Sequence, residues 1–141
     1  MLKGTAATGT DSFRGVQAAI GELIAMRDLV WALSTAMVHE HEPGIGDTIL
    51  PSLHIAAANR IYQTNAWNRV REIFETILAG APSYTISSVA DLGSPELEPI
   101  ISQYFRGTGI DAPERIKLFK LVWDALYSEF AGRHALYERN R

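Results

Sequence analysis

Apolar residues recur at steps of three and four near the start of the chain: Phe13, Val16, Ile20 and Leu23, then Val30 and Met37. That spacing lines one face of a 3.6-residue helix; a strand would alternate faces at every second residue. It predicts a helix over 12–39, about 40 Å long at 1.5 Å per residue. A rod of that length exceeds the usual globular helix and needs packing partners along its side, so a multi-helix bundle is the expected setting. Arg27 and Ser34 occupy positions where the stripe should continue, while Leu29, Trp31, Leu33 and Val38 spread apolar surface around it. So broad an apolar girth predicts burial on several faces, and with it self-association to a dimer or larger.

The stretch EHEPGIGDTILP carries Pro43, Gly44, Gly46 and Pro51 and is expected to be a loop. Ser52 is placed to cap a second helix running to Ala79, with Leu53, Ile61, Val70, Ile73, Phe74, Ile77 and Leu78 as its apolar positions. Gly80 followed by Pro82 stops it. Residues 83–90 read as extended or irregular. Ser94-Pro95-Glu96 has the order cap, proline, acid of a helix start and predicts a short helix over 95–106, ended by Gly107. Asp111-x-x-Glu114 around Pro113 opens another helix as a capping box, with Ile116, Phe119, Trp123, Leu126 and Phe130 as its stripe. Phe119 and Trp123 read as core. Gly132 is expected to break or bend this helix before it resumes over 133–141. Residues 1–11 are small and polar and read as a flexible lead-in. The fold class is all-α, an antiparallel helical bundle over 12–141.

Composition narrows the function classes. At 141 residues and 47% hydrophobic content the chain suits one globular domain with its own core. Thirteen Lys and Arg against sixteen Asp and Glu leave a net charge of −3, which argues against nucleic acid as a partner. The absence of cysteine excludes disulfides, thiolate metal sites and cysteine nucleophiles from the segment. No apolar run approaches the roughly 18 residues needed to cross a bilayer, so no membrane partner is expected. The opening MLKGTAATGT lacks an apolar signal core, and a cytoplasmic setting fits.

Three clusters invite a chemical reading. His39-Glu40-His41-Glu42 resembles a metal cluster, but metal-binding histidines on a helix stand three or four apart and these stand two apart; a solvated helix end is the expectation, and no metal. Arg27, set in an apolar stripe, requires an acid partner, a phosphate or water; a salt bridge within or between subunits is the expectation, and contact with a phosphate-bearing cofactor the alternative. Ser128-Glu129-Phe130-Ala131-Gly132-Arg133-His134 places small residues directly before an arginine and a histidine, two side-chain donors. Such a run either cradles a phosphate through backbone N–H groups and side chains, or is a helix kink carrying two surface polar residues. No nucleotide-binding glycine fingerprint, nucleophile elbow or HExxH run is present.

Three strings, DSFRGVQAAIGELIAMRDLVWALS, SVADLGSPELEPIISQYFRGTGI and ERIKLFKLVWDALYSEFAGRHALYERN, resemble in order and spacing the C-terminal helical domain of the 4-hydroxyphenylacetate 3-monooxygenase oxygenase-component family. The resemblance runs from about Gly9 to Asn140. It implies an acyl-CoA-dehydrogenase-like fold and a two-component phenol hydroxylase. In such a system a separate flavin reductase supplies reduced FAD, and the oxygenase hydroxylates a phenolic small molecule. The resemblance also implies a homo-oligomer, dimer or tetramer, built through these helices. By position, Ala131, Gly132, Arg133 and His134 match the stretch expected to contact FAD, where the family usually reads Gly-Gly-Arg-His. Phe13, Arg14 and Gln17 match the region that reaches a neighbouring subunit's flavin. Tyr127 is bulky where the family often has a small residue.

The family's N-terminal and middle domains, which carry the phenol pocket, have no counterpart in these 141 residues. The chain is therefore expected to be a piece, a split-gene product or a degenerate relative, with no hydroxylase turnover alone. The competing expectation is a stand-alone self-associating helical module without cofactor or catalysis.

Overall fold

The computed structural model describes residues 1–78 and 80–139. It is all-α apart from one short ribbon: α1 (Leu2–Thr8), α2 (Arg14–His39), β1 (Glu42–Pro43), β2 (Ile49–Leu50), α3 (Leu53–Leu78), a 3-10 turn (Val89–Gly93), α4 (Glu98–Tyr104), α5 (Ala112–Leu126) and α6 (Glu129–Arg139). The chain divides into two compact units, Met1–Gln17 with Ile73–Arg141, and Ala18–Glu72. The expected ends of the second helix at Ala79 and of the last at Arg141 lie outside the described residues.

The first unit is organised by α5. Asp111 caps it, its Oδ1 accepting from the Glu114 N–H at 2.9 Å, and Pro113 sits in the first turn, where a missing N–H costs nothing. Ala112, Ile116, Phe119 and Leu126 are buried, Phe119 at 1% exposure. Ile101 of α4 joins Ala112 and Ile116, with Ile86, Leu92 and Phe105 packed around them. The Arg115 guanidinium lies 4.9 Å over the Phe119 ring and donates to the Phe105 carbonyl at 3.4 Å.

Several expectations are corrected in this unit. Residues 1–11 contain α1, and Thr5 within it is fully buried. Small residues make that docking possible: a Cβ on Gly4 would come within 3.0 Å of Leu78, and one on Gly107 within 2.5 Å of the Ala7 carbonyl. The Thr108 N–H donates to that same carbonyl at 2.9 Å. Gly9, at φ 70, ends α1 in the left-handed conformation. The helix expected from 95 begins at Glu98, because the Ser94 carbonyl first closes a turn with the N–H groups of Leu97 and Glu98. It ends at Tyr104, before Gly107. Within 83–90, Ser88 and Asp91 form a reciprocal capping box that starts the 3-10 turn. Trp123 is 38% exposed and Phe130 is exposed, so the inner stripe of α5 does not continue through either.

In the second unit α2 and α3 run antiparallel. Ser52 N–H donates to the Met37 carbonyl at 3.0 Å, Asn59 Nδ2 to Ser34 Oγ at 3.4 Å, and Arg69 forks onto Glu22 at 2.7 and 2.9 Å. As positions fall along α2 they rise along α3. The expected loop over 40–51 holds the β1–β2 ribbon, with Glu42 opposite Leu50 and Pro43 opposite Ile49. Glu42 Oε1 accepts from the Leu53 N–H at 3.2 Å and so performs the capping assigned to Ser52. The Ser52 hydroxyl instead meets His54 Nδ1 at 3.1 Å. Arg27 pairs with its neighbour Asp28 at 2.6 Å on the exposed side of the helix. Ile24, Leu29, Trp31 and Val38 all remain exposed, Trp31 at 76%. No helix among the described residues is long and apolar enough to cross a membrane.

Phe119→Ala should cost about 3–5 kcal/mol of unfolding free energy in urea titration, since it empties the most enclosed aromatic site of α5. The Arg69 hydrogen bond holds the Glu22 carboxyl below its usual range. A lowered pKa means the pair's stabilisation is present above the unfolded carboxylate value of about 4.3 and is lost as pH falls through the folded value. Glu22→Gln should therefore lower the melting temperature at pH 7 and reduce its dependence on pH below about 4.

Candidate functional site

The break between α5 and α6 sets the geometry of the predicted corner. It falls at Tyr127 and Ser128, not at Gly132, which lies inside α6. Tyr127 and Ser128 N–H groups both close onto the Trp123 carbonyl, at 2.8 and 3.0 Å. The Ser128 hydroxyl then donates to the Asp124 carbonyl at 2.7 Å and accepts from the Ala131 N–H at 3.2 Å. Ser128 thus ends one helix and starts the next, a dual use of a short hydroxyl side chain.

This arrangement removes half of the predicted phosphate cradle. The Ala131 N–H is taken by Ser128 Oγ and the Gly132 N–H by the Ser128 carbonyl at 3.0 Å. What remains is side-chain chemistry. Arg133 and His134 are both exposed on the second turn of α6. Arg133 Nε stands 3.7 Å from Glu129 Oε1, and both side chains are largely in solvent. His134 stacks on Phe130 with ring centroids 6.4 Å apart and planes inclined by 20°. Each of the two side chains is thus steadied by the residue one turn earlier. A Cβ built on Gly132 meets nothing within 4 Å, so a ligand can approach the backbone there. The sequence carries this signal in the four-residue steps Glu129–Arg133 and Phe130–His134.

The second predicted group sits on the first turn of α2. Phe13, just outside the helix, accepts the Gln17 N–H through its carbonyl at 3.0 Å. Phe13, Arg14 and Gln17 are all exposed, and the first turn of α2 contains no acid. An arginine at a positive helix end suits an anionic ligand. Among the described residues no side-chain hydrogen bond or ion pair joins this group to residues 131–134. His39 closes α2 and Glu42 begins β1; no group of three or more His, Asp or Glu able to hold a metal occurs among the described residues.

The family model described as 4-hydroxyphenylacetate 3-hydroxylase, C terminal, matches residues 1–141. The chain belongs to this family. The pyoverdin chromophore biosynthetic protein PvcC of Pseudomonas aeruginosa is 48% identical over 135 residues, covering 96% of this chain and 27% of the relative. The oxygenase component of 4-hydroxyphenylacetate 3-monooxygenase from Escherichia coli is 40% identical over 141 residues, covering 99% and 27%. The crystal structure of the oxygenase component HpaB complexed with FAD superposes with a TM-score of 0.88 at 29% identity, over 96% of this chain and 28% of that one. The chain therefore spans about a quarter of the length of the relatives it matches.

Proposed function

We propose that this chain acts as the C-terminal domain of a reduced-FAD-dependent monooxygenase of phenolic small molecules, contributing flavin contacts and an oligomer interface. The observation that carries the reading is the family match along the whole chain, together with an open corner where Arg133 and His134 stand beside an unobstructed glycine.

The residues present fit an anionic dinucleotide. Arg133 offers a planar fork of donors to a phosphate oxygen. His134, held flat by Phe130, offers a ring N–H. Gly132 leaves room for close approach, and Ala131 behind it is half-buried. Phe13, Arg14 and Gln17 form a second contact group, directed toward the flavin of a neighbouring subunit. Reduced FAD, when bound, supplies the oxygen-activating chemistry. The role of this chain is to bind and orient it.

Oligomerisation has its own support in α2. Ile24, Trp31 and Val38 are exposed and stand seven residues apart, which puts them on one face of the helix. Gln17 continues the same spacing. A homo-oligomer, dimer or tetramer, would cover that stripe. The partners of this reading are a flavin reductase and a phenolic substrate held by regions of the protein outside these residues, in a cytoplasmic setting. The relatives carry names as different as pyoverdin chromophore biosynthesis and 4-hydroxyphenylacetate oxidation, so the reading specifies a phenol class and not one compound.

Titration of the chain with FAD, followed by flavin fluorescence, tests this directly. Saturable binding is expected, weakened about tenfold by Arg133→Ala, with the melting temperature unchanged because the side chain is exposed. Absence of saturation, or equal affinity in the variant, would overturn it.

A further inference from the structure

We propose that the corner on α6 holds the adenosine diphosphate half of the dinucleotide, with the Phe130 ring as the platform for the adenine. This rests on the flavin reading above and specifies which part of the cofactor the chain takes. Helix period sorts the side chains of α6 into strips. Ala131 and Ala135, both half-buried, mark the side turned inward. On the open side, Glu129 and Arg133 share one strip and Phe130 and His134 the next, because residues four apart stand over one another. Gly132 flanks the Arg133 strip on its other side. Around the helix an aromatic strip, a guanidinium strip and bare backbone thus follow in order, which matches a flat ring joined to a phosphate.

Both strips are free to take a ligand. The Phe130 ring meets His134 on one side only, with planes inclined by 20°, and keeps 71% of its surface in solvent, so its outer face is open to a second ring. An aromatic face of this kind stacks a base without needing a hydrogen-bond pattern. The Arg133–Glu129 pair is long, at 3.7 Å, and both side chains are largely in solvent. Such a pair contributes little, so turning the guanidinium toward a phosphate costs little.

The openness of the corner decides between the two flat rings of FAD. The flavin ring carries the oxygen chemistry and requires surroundings that exclude water. Phe130, Gly132, Arg133 and His134 are all exposed, and a solvated guanidinium among them keeps water close. The adenine takes no part in the reaction and tolerates solvent. One ribose joins it to the diphosphate, so ring and anion can occupy neighbouring strips. FMN lacks the adenosine half and offers only the ring to which this surface is unsuited.

ADP and FMN, each titrated against the full chain and each used to displace FAD, separate the two halves. ADP is expected to bind saturably and to displace FAD, with FMN about tenfold weaker or more. Flavin emission should rise as FAD binds, because drawing the adenine away relieves the quenching it exerts in the folded free dinucleotide. Phe130→Leu keeps an apolar side chain at this exposed position and should weaken ADP about tenfold, while Phe130→Trp should preserve its affinity. FAD binding that ADP does not displace, FMN affinity equal to that of ADP, or ADP affinity undiminished in Phe130→Leu would each overturn this inference and leave the flavin reading standing. Absence of saturation by FAD would overturn both.

Discussion

The inner edge of α5 is the packing on which the first unit depends. Ala112, Ile116 and Phe119 bury successive turns, and Leu126 buries the last one. The Asp111 cap fixes where that helix starts, and the closing bonds onto Trp123 fix where it ends. Because Ser128 serves both helices, the start of α6 is fixed too, and with it the positions of Arg133 and His134. The candidate flavin corner is thus placed by apolar burial two turns away, and needs no buried charge of its own. That division of labour suits a binding surface. Rigid packing supplies position, and exposed side chains supply chemistry.

The second unit is built differently. Its helices are tied by polar contacts at intervals, from Glu22–Arg69 through Ser34–Asn59 to the Met37 carbonyl. Exposed ion pairs contribute little stability individually, and apolar side chains on α2 stay in solvent. Helices of this length gain most of their stability from tertiary packing. The exposed heptad of Ile24, Trp31 and Val38 is the surface on which further packing can occur.

What the sequence made legible follows from strong local signals. The period of α2 and α5, the Asp111 cap and the stop after α3 at Gly80 each rest on one or a few residues acting within a turn. α1 was missed because it docks through small residues and threonine back-bonds, which leave no apolar period. The Ser88-x-x-Asp91 box is written in the sequence, but the neighbouring serines offer the same cap chemistry at several registers. The cap of α3 comes from Glu42, eleven residues away, beyond the reach of local pattern. Trp123 and Phe130 fitted the helical period but not burial, because period assigns a face and not what lies opposite it. At the corner, Arg133 and His134 were found by residue type, while the loss of the backbone cradle depended on Ser128, whose dual bonding only the fold reveals.

The claim that these helices are surfaces completed by further copies of the chain is tested most directly by sedimentation equilibrium at micromolar concentration. A dimer or larger species is expected, shifted to monomer by Trp31→Asp, since a charge in an apolar interface cannot be desolvated cheaply. A well-behaved monomer for the unaltered chain, or an oligomer indifferent to that substitution, would contradict it.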